Sequence, residues 1–299
     1  MSSSWPVGVS TLEDMRRYAK TLFGDCEIEN LLTGMPFDGN PGCFLIRVKG
    51  ACNEGNWERW PDLIDEAMKA TVETYGRPDI IQVKSKVSGA PRARLYDTLQ
   101  VTPSTCTCRV YFGGDGHQKL QTGSSATTAT QTMGKMLMAQ FKPTTEQWDG
   151  NQPGYHAKAF HLVLNKYHRN DGIDLHQDKS TTYAARNPIT SLSYGRGAIL
   201  MITDSASSAK QKIALYYQYP GDAIIMSGDF NEKFWHGVPP VESWQELFKR
   251  QNIVRKLPQN EFDEANRVLT GELGDRYNVT TVSYTHLRAH ETVLDLVCR

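Results

Sequence analysis

Long hydrophobic runs are missing from this sequence. No stretch approaches the ~20 apolar residues that a membrane-spanning helix requires. The opening residues, MSSSWPVGVS, contain no basic segment followed by an apolar run, so no secretory signal is indicated. We therefore expect a soluble intracellular protein that does not act at a membrane, in a compartment that the sequence does not specify.

An excess of charge of either sign is also missing. The 299 residues include 33 Lys or Arg and 33 Asp or Glu, which gives a net charge of +0. A neutral chain is not a general coat for nucleic acid, so any contact with nucleic acid must come from a local basic patch. At this length, and with 39% hydrophobic residues, the chain can bury one large core or two modest ones.

Paired cysteines of the C-x-x-C type do not occur among the six cysteines. Cys106 and Cys108 flank a single threonine, and no second pair lies nearby to complete a zinc site. We interpret the cysteines as reduced structural thiols.

The first half of the chain mixes helical and extended patterns. Apolar residues at helical spacing predict helices over residues 11–23 and 57–75, and strands are predicted at GCFLIRVKG and DIIQVKSKV. Residues 88–132 are rich in Gly, Ser and Thr, which predicts loops around short hairpins. The segment TMGKMLMAQF is predicted to form a further helix.

From about residue 155 short β-rich runs follow one another, separated by turn signals such as NDG and YPGD. This spacing predicts a β-sandwich or jelly roll. A charged, helical insertion is predicted over residues 249–273, before a last strand at DRYNVTT. The fold class is therefore mainly β with flanking helices (α+β), a jelly-roll core with an N-terminal helical and lid extension.

The stretch GIDLHQDKS places His176 and Asp178 one residue apart. Side chains at i and i+2 of a strand point the same way, so these two potential metal ligands face one spot. A mononuclear non-haem iron site needs two His and one carboxylate on one face, with the remaining positions open. His236 in FWHGVP, 58 residues after Asp178, can supply the third ligand; the alternative is a core histidine beside Trp235.

Two further pairs of polar residues have the same i, i+2 spacing. Asn165 and Tyr167 occur in LNKY, and Arg276 and Asn278 occur in RYN. A buried arginine needs an anion. A dicarboxylate co-substrate would satisfy Arg276, with the Tyr167 hydroxyl and the two amides adding hydrogen bonds.

Together these motifs resemble the AlkB-like family of Fe(II)- and 2-oxoglutarate-dependent dioxygenases. The segments LNKYHRNDGIDLHQDKS, PITSLSYG, PGDAIIMSG, FWHGVP and RYNVT follow one another in that family's order, over roughly residues 155–281. The resemblance implies a double-stranded β-helix and the cofactors Fe(II), 2-oxoglutarate and O2. It also implies iron ligands at His176, Asp178 and His236, and 2-oxoglutarate contacts at Asn165, Tyr167, Arg276 and Asn278.

The family's pattern has a second arginine six residues after the first, but here that position is Val282. From Val282 the sequence VSYTHLRAHETVLDLVCR resembles a translated sequencing adapter. We hypothesise that the natural chain continues differently after about Thr281; the alternative is a genuine divergent tail that forms a short helix.

Residues 77–119 form a basic patch within this neutral chain. They hold seven Lys or Arg and three Asp, a net charge of +4. The segment PRARLYD resembles the family's nucleotide-gripping lid motif, although it is one residue shorter and has Asp97 in place of a glycine. The predicted substrate contacts are Arg92, Arg94, Tyr96 and Tyr111; the alternative is a solvated surface with ordinary strand aromatics.

We therefore predict four segments in the sequence. These are a helix and strand extension at 1–76, a candidate lid with its supporting helix at 77–150, the dioxygenase core at 151–281 and a non-native tail at 282–299.

The resemblance implies an oxidative demethylase of alkylated bases in DNA or RNA, a DNA repair or RNA demethylation enzyme that acts on single-stranded nucleic acid or a flipped base. We also expect the protein to be a monomer. N-methyl hydroxylation would release formaldehyde. One alternative is an oxygenase of a protein, a lipid or a small molecule. Another is a non-catalytic jelly-roll protein that binds metal or 2-oxoglutarate without turnover.

Overall fold

The computed structural model describes residues 11–51, 58–75, 82–84, 91–101, 106–112, 119–121, 158–178, 188–206, 211–271 and 274–284. The helices in these ranges are α1 Leu12–Phe23, α2 Trp60–Tyr75, α3 Gly228–Lys233, α4 Trp244–Phe248 and α5 Gln259–Thr270. The strands are β1 Ile28–Asn30, β2 Leu45–Val48, β3 Gln82–Lys84, β4 Pro91–Val101, β5 Cys106–Phe112, β6 Lys119–Gln121, β7 Lys158–Tyr167, β8 Ile173–His176, β9 Ile189–Gly195, β10 Ala198–Thr203, β11 Ile213–Gln218, β12 Ala223–Met226, β13 Trp235–Val238, β14 Ile253–Arg255 and β15 Arg276–Tyr284.

The described strands form two sheets. The larger has ten strands, in the order β1-β2-β12-β9-β15-β7-β4-β5-β6 with β3 paired to β4, and the smaller has the order β14-β11-β10-β13-β8. Pairing among these strands is antiparallel apart from β11 with β14, which is parallel. The prediction of a mainly β, jelly-roll fold with a few helices is confirmed.

One hydrophobic cluster lies between the two sheets. Ile189 and Ile224 of the larger sheet pack in it with Ile202 and Tyr216 of the smaller sheet, and all four are buried. Period-two alternation delivers these side chains to one face of each sheet. The inter-sheet space beside this cluster is where polar residues of the same strands can meet.

Helices cover the outer face of each sheet. On the larger sheet, Met15 of α1 and Trp60 of α2 join the cluster that contains Tyr194, and the Trp60 and Tyr194 rings stack with centroids 5.9 Å apart. On the smaller sheet, Ala265 and Val268 of α5 pack in a third cluster. The predicted helix at residues 11–23 is confirmed, since Thr11 and Asp14 form a reciprocal capping box that starts it.

Two expectations from the sequence pattern need correction. Residues 91–101 form one long strand, β4, that pairs with β7 from Ala93 opposite Lys166 to Val101 opposite Lys158. The predicted hairpins are present, since β4 pairs with β5 and β5 pairs with β6. Strand β4 is longer than expected because it also pairs along the edge of β7. The insertion at 249–273 contains strand β14 as well as helix α5.

Other expectations lie beyond these observations. The helix predicted at TMGKMLMAQF falls outside the described residues. The four-segment division stays a prediction, although strands from its first three segments pair in one sheet. Among the described helices, none combines the length and apolarity needed to cross a membrane.

A polar cluster fixes α2 to the outer face of the larger sheet. Lys166 Nζ lies 2.7 Å from Asp65 Oδ1, and the Tyr277 hydroxyl donates to Asp65 Oδ2 at 2.8 Å. Burial alone would lower the pKa of Lys166, but hydrogen bonds to Asp65 and Tyr277 outweigh that effect and raise it. A raised lysine pKa stabilises the fold throughout neutral pH, and this contribution is lost only as the pH rises through the folded-state pKa.

We predict that Asp65→Ala lowers the free energy of unfolding by about 1–2 kcal/mol, because Lys166 and Tyr277 lose a charged hydrogen-bond partner that is itself partly exposed. Urea unfolding at pH 7 measures the effect. Glu66→Ala, at an exposed position of the same helix, is the matched control and should leave the midpoint nearly unchanged. Equal midpoints for the two variants would contradict the prediction.

Candidate active site

Strands β8 and β13 place two histidines side by side in the smaller sheet. His236 is directly opposite His176 in the antiparallel register, and the ring centroids are 4.3 Å apart with planes at 50°. Directly opposite residues of an antiparallel pair project from the same face. Strand pairing alone therefore brings these two side chains together.

Asp178 completes a three-residue cluster. Its Oδ2 lies 3.5 Å from His236 Nε2, and its Oδ1 lies 3.9 Å from His176 Nε2. One ligand atom from each residue can be chosen so that all three lie within 4.8 Å of one another. The His236 side chain is 9% exposed, whereas His176 and Asp178 are 32% and 20% exposed, so the cluster is open to solvent on the β8 side.

A backbone contact sets the orientation of the His176 ring. Its Nδ1 lies 2.8 Å from the carbonyl oxygen of Asp174. A carbonyl oxygen can only accept, so Nδ1 donates in this contact and Nε2 is the ring nitrogen that would ligate a metal. An outer partner of this kind is usual for a histidine that ligates a metal.

The donor set of the cluster fits Fe(II). Two imidazole nitrogens and one carboxylate are the ligands of the facial arrangement found in non-haem iron oxygenases, and Asp178 supplies one negative charge against the metal's two. The structure thus brings together the three residues predicted as metal ligands. Their role as ligands stays a prediction.

The four residues predicted to bind 2-oxoglutarate also lie together, on β7 and β15 of the larger sheet. Arg276 is opposite Tyr167, and Asn278 is opposite Asn165. All four are buried, with exposed fractions between 2% and 5%. Because they alternate with Lys166 and Tyr277 of the outer face, they face the space between the sheets.

Arg276 has unused hydrogen-bonding capacity in a buried position. Its Nη2 donates to Gln218 Oε1 at 2.8 Å, and the guanidinium carbon lies 4.9 Å from the centre of the Tyr167 ring. Nε and Nη1 are buried and have no hydrogen-bond partner among the described residues. Burial lowers the pKa of Arg276, and the neighbouring Tyr167 opposes that effect only in part. A carboxylate would satisfy these donors, so the site fits the expected co-substrate.

The two asparagines differ in their hydrogen bonding. Asn165 Oδ1 is buried without a partner in the described part of the chain. Asn278 Nδ2 already donates to Ser191 Oγ at 2.7 Å and to the Leu192 carbonyl at 2.9 Å, and its Oδ1 accepts from Thr280. Both Asn278 amide protons are therefore used within the sheet, and its predicted contact with 2-oxoglutarate stays untested.

Sequence reasoning missed Gln218, which is the main protein partner of Arg276. Gln218 lies at the end of β11 in the smaller sheet and is 4% exposed. Its only signal in the sequence is a polar residue that ends an apolar strand, IALYYQ. Buried polar residues need partners, but that rule alone does not say which partner.

The predicted substrate contacts lie on β4 and β5. Arg94 is opposite Asn165 of β7, and Tyr96 is opposite Tyr111 of β5. The strand that carries Arg92, Arg94 and Tyr96 is thus the immediate neighbour of a strand that lines the buried polar site. Their side chains fall outside what the structure describes.

The sequence profile of the 2OG-Fe(II) oxygenase superfamily matches residues 53–281. No curated protein matches the chain. Similar solved structures include a 2OG-Fe(II) oxygenase family oxidoreductase from Burkholderia pseudomallei, 11% identical over 69% of this chain and 72% of its own, with a TM-score of 0.35. OsALKBH1 is 16% identical over 80% of this chain and 96% of its own, with a TM-score of 0.38. A bsmA homologue from Methylobium petroleophilum PM1 is 10% identical over 76% of this chain and 87% of its own, with a TM-score of 0.36.

We predict that Asp178→Ala abolishes tight binding of Fe(II) while leaving the fold largely intact. The variant loses one ligand and the negative charge of the cluster, so its affinity should fall by more than the ~10–100-fold that loss of an outer-shell partner costs. Anaerobic titration of the metal-free protein with Fe(II) measures this. His168→Ala, which alters an exposed histidine outside the cluster, should bind as wild type does. Undiminished binding by Asp178→Ala would refute the metal assignment.

We predict that Arg276→Lys raises the KM for 2-oxoglutarate by roughly 10–100-fold, because lysine keeps the charge but loses the two-pronged contact with a carboxylate. Succinate formation at varied 2-oxoglutarate concentration provides the measurement. Arg47→Lys is the matched control, since Arg47 is also buried but is paired with Asp222 at 2.6 Å. An unchanged KM in Arg276→Lys would show that this side chain does not bind the co-substrate.

Proposed function

The chain belongs to the 2OG-Fe(II) oxygenase superfamily, and from this premise we propose that it is an AlkB-like oxidative demethylase of methylated bases in DNA or RNA. Membership confirms the predicted cofactors, which are Fe(II), 2-oxoglutarate and O2. It also confirms, at the level of the superfamily, the resemblance that the motifs indicate. The methylated-base substrate is the finer step that we propose.

The observation that supports the oxygenase part of the proposal is that the chain holds both the His176, Asp178 and His236 cluster and a buried Arg276, two of whose nitrogens have no hydrogen-bond partner among the described residues. The three-residue cluster would hold the iron, and Arg276 would hold a carboxylate of 2-oxoglutarate. When bound, these cofactors supply the oxidising chemistry that converts a C–H bond of the substrate into C–OH.

The chain's own residues bind and orient rather than transfer protons. The Nδ1 contact with the Asp174 carbonyl orients the His176 ring so that Nε2 would ligate the metal, and Asp178 would offset part of the metal charge. Burial of Arg276 and Asn165 keeps water away from the co-substrate end of the site. If the substrate carbon is an N-methyl group, the hydroxylated product loses formaldehyde by cleavage of its C–N bond, which leaves N–H on the base and needs no protein nucleophile.

The position of β4 supports a nucleic-acid substrate. This strand belongs to the basic segment with a net charge of +4, and its Arg94 is opposite Asn165 of the buried polar site. A base that is taken out of its stack needs aromatic surfaces and phosphate contacts next to the reacting centre. The lid sequence supplies both residue types on a strand adjacent to that site. The predicted monomeric state remains a prediction.

We predict that a methylated single-stranded oligonucleotide binds through β4. Tyr96→Ala should weaken binding by ~1–3 kcal/mol through loss of a stacked base. Arg92→Ala or Arg94→Ala should weaken binding about equally for all sequences and lower the salt slope by roughly one. Fluorescence anisotropy at several salt concentrations measures both effects.

Succinate release is the companion measurement, made with and without the methylated oligonucleotide. Turnover without oligonucleotide should be unchanged in the three variants, since it depends on the core alone. If the wild-type protein releases succinate but binds no oligonucleotide at low salt, the substrate is instead a protein, a lipid or a small molecule. If it binds metal and 2-oxoglutarate without releasing succinate, the non-catalytic alternative holds.

A further inference from the structure

Strand pairing does not extend to the third residue of the metal cluster. The ladder between β8 and β13 has His176 opposite His236, and β8 ends at His176. Asp178 lies two residues beyond that end. Some other contact must set the backbone at Asp178, because a carboxylate that ligates a metal has to be held close to both histidines.

The side chain of Asn231 makes that contact. Its Oδ1 accepts from the Asp178 N–H at 2.8 Å, and its Nδ2 donates to the Asp178 carbonyl at 2.6 Å. One amide group therefore exchanges two hydrogen bonds with one residue, which is the pattern of a hydrogen-bonded pair in an antiparallel ladder. Asn231 is 5% exposed, so water competes little for these bonds.

Asn231 is itself fixed by the short helix α3. Ser227 caps this helix by accepting from the Phe230 N–H, and the same hydroxyl donates to the Gly42 carbonyl at 2.6 Å and accepts from the Phe44 N–H at 2.9 Å. Phe230 is fully buried. The cap thus anchors α3 to Gly42 and Phe44, which lead into β2 of the larger sheet. The strands that carry the two histidines belong to the smaller sheet.

The same helix leads directly into β13, which begins at Trp235 and carries His236. The position of α3 therefore affects where two of the three cluster residues lie. His236 follows in the chain, and Asp178 is held through Asn231. The neighbouring Gln177 makes a weaker version of this link, since its Nε2 donates to the Glu232 carbonyl at 2.7 Å from an exposed site.

We propose that Asn231 is a positioning residue for the metal centre, which fixes the backbone of Asp178 so that its carboxylate lies within reach of both histidines. The proposal rests on the proposed function, since it takes the cluster to be the metal site. Without Asn231, Asp178 would have to be ordered when the metal binds, and metal affinity would fall even though every ligand is still present.

The test uses Asn231→Leu, because leucine has a shape similar to that of asparagine but cannot form either hydrogen bond with Asp178. Metal-free protein is titrated with Mn(II) by calorimetry, and the Co(II)-loaded protein is examined by visible absorption. We expect the Kd for Mn(II) to rise ~10–100-fold, as for other outer-shell partners, and the Co(II) spectrum to shift towards that of Asp178→Ala. Asn231→Ala removes the same two bonds without added bulk and serves if leucine prevents folding.

Two controls separate positioning from general stability. Gln177→Leu removes the neighbouring exposed link, and Asp65→Ala lowers stability on the far side of the larger sheet. Asp65→Ala should keep wild-type Mn(II) affinity, and Gln177→Leu should lower that affinity less than the Asn231 variants do, because the Gln177 link is exposed. The proposal is overturned if the Asn231 variants bind Mn(II) as tightly as wild type, or if Asp65→Ala loses as much affinity as they do. If the wild-type protein binds no Mn(II), Co(II) or Fe(II), the metal centre itself is refuted and the role of Asn231 with it.

Discussion

The antiparallel register between β7 and β15 is the constraint on which the site depends. It places Arg276 opposite Tyr167 and Asn278 opposite Asn165, and alternation turns all four towards the smaller sheet. The residues between them, Lys166 and Tyr277, turn outwards and bind α2 through Asp65. A shift of one residue would exchange the two sets, so that Arg276 would lie under α2 and Lys166 and Tyr277 would enter the space between the sheets without Asp65.

The buried guanidinium of Arg276 then connects the larger sheet, where this register is set, to the smaller sheet. Arg276 reaches from the larger sheet to Gln218 of the smaller one, so the contact spans the inter-sheet space. An amide oxygen satisfies one donor but does not neutralise the charge, and leaving a buried charge uncompensated is costly. The fold tolerates that cost at a place where an anionic co-substrate would remove it. This is the usual relation between local instability and function.

Much of this arrangement could be predicted because strand parity can be seen in the sequence. The spacing of Asn165 with Tyr167 and of Arg276 with Asn278 predicts common faces without any tertiary information. The same expectation for His176 and Asp178 is wrong in its reason, because β8 ends at His176 and Asp178 lies beyond the strand. The partners Gln218 and Asn231 could not be predicted in this way. Asn231 meets Asp178 across 53 residues, and that contact depends on where β8 stops and on how α3 packs. The length of β4 was missed for the same reason, since the edge of β7 that stabilises it is distant in the chain.

At position 282 a change of side chain can alter the chemistry of the chain without altering its fold. Strand β15 runs to Tyr284, and Val282 is opposite His161 of β7 and Ile189 of β9. Ladder hydrogen bonds involve only the backbone, so β7 and β9 can pair with this segment whichever side chain it carries. Position 282 has the same parity along β15 as Arg276 and Asn278. An arginine there, as in the AlkB-like pattern, would add a second cation on the face proposed to hold the co-substrate, whereas valine supplies no charge.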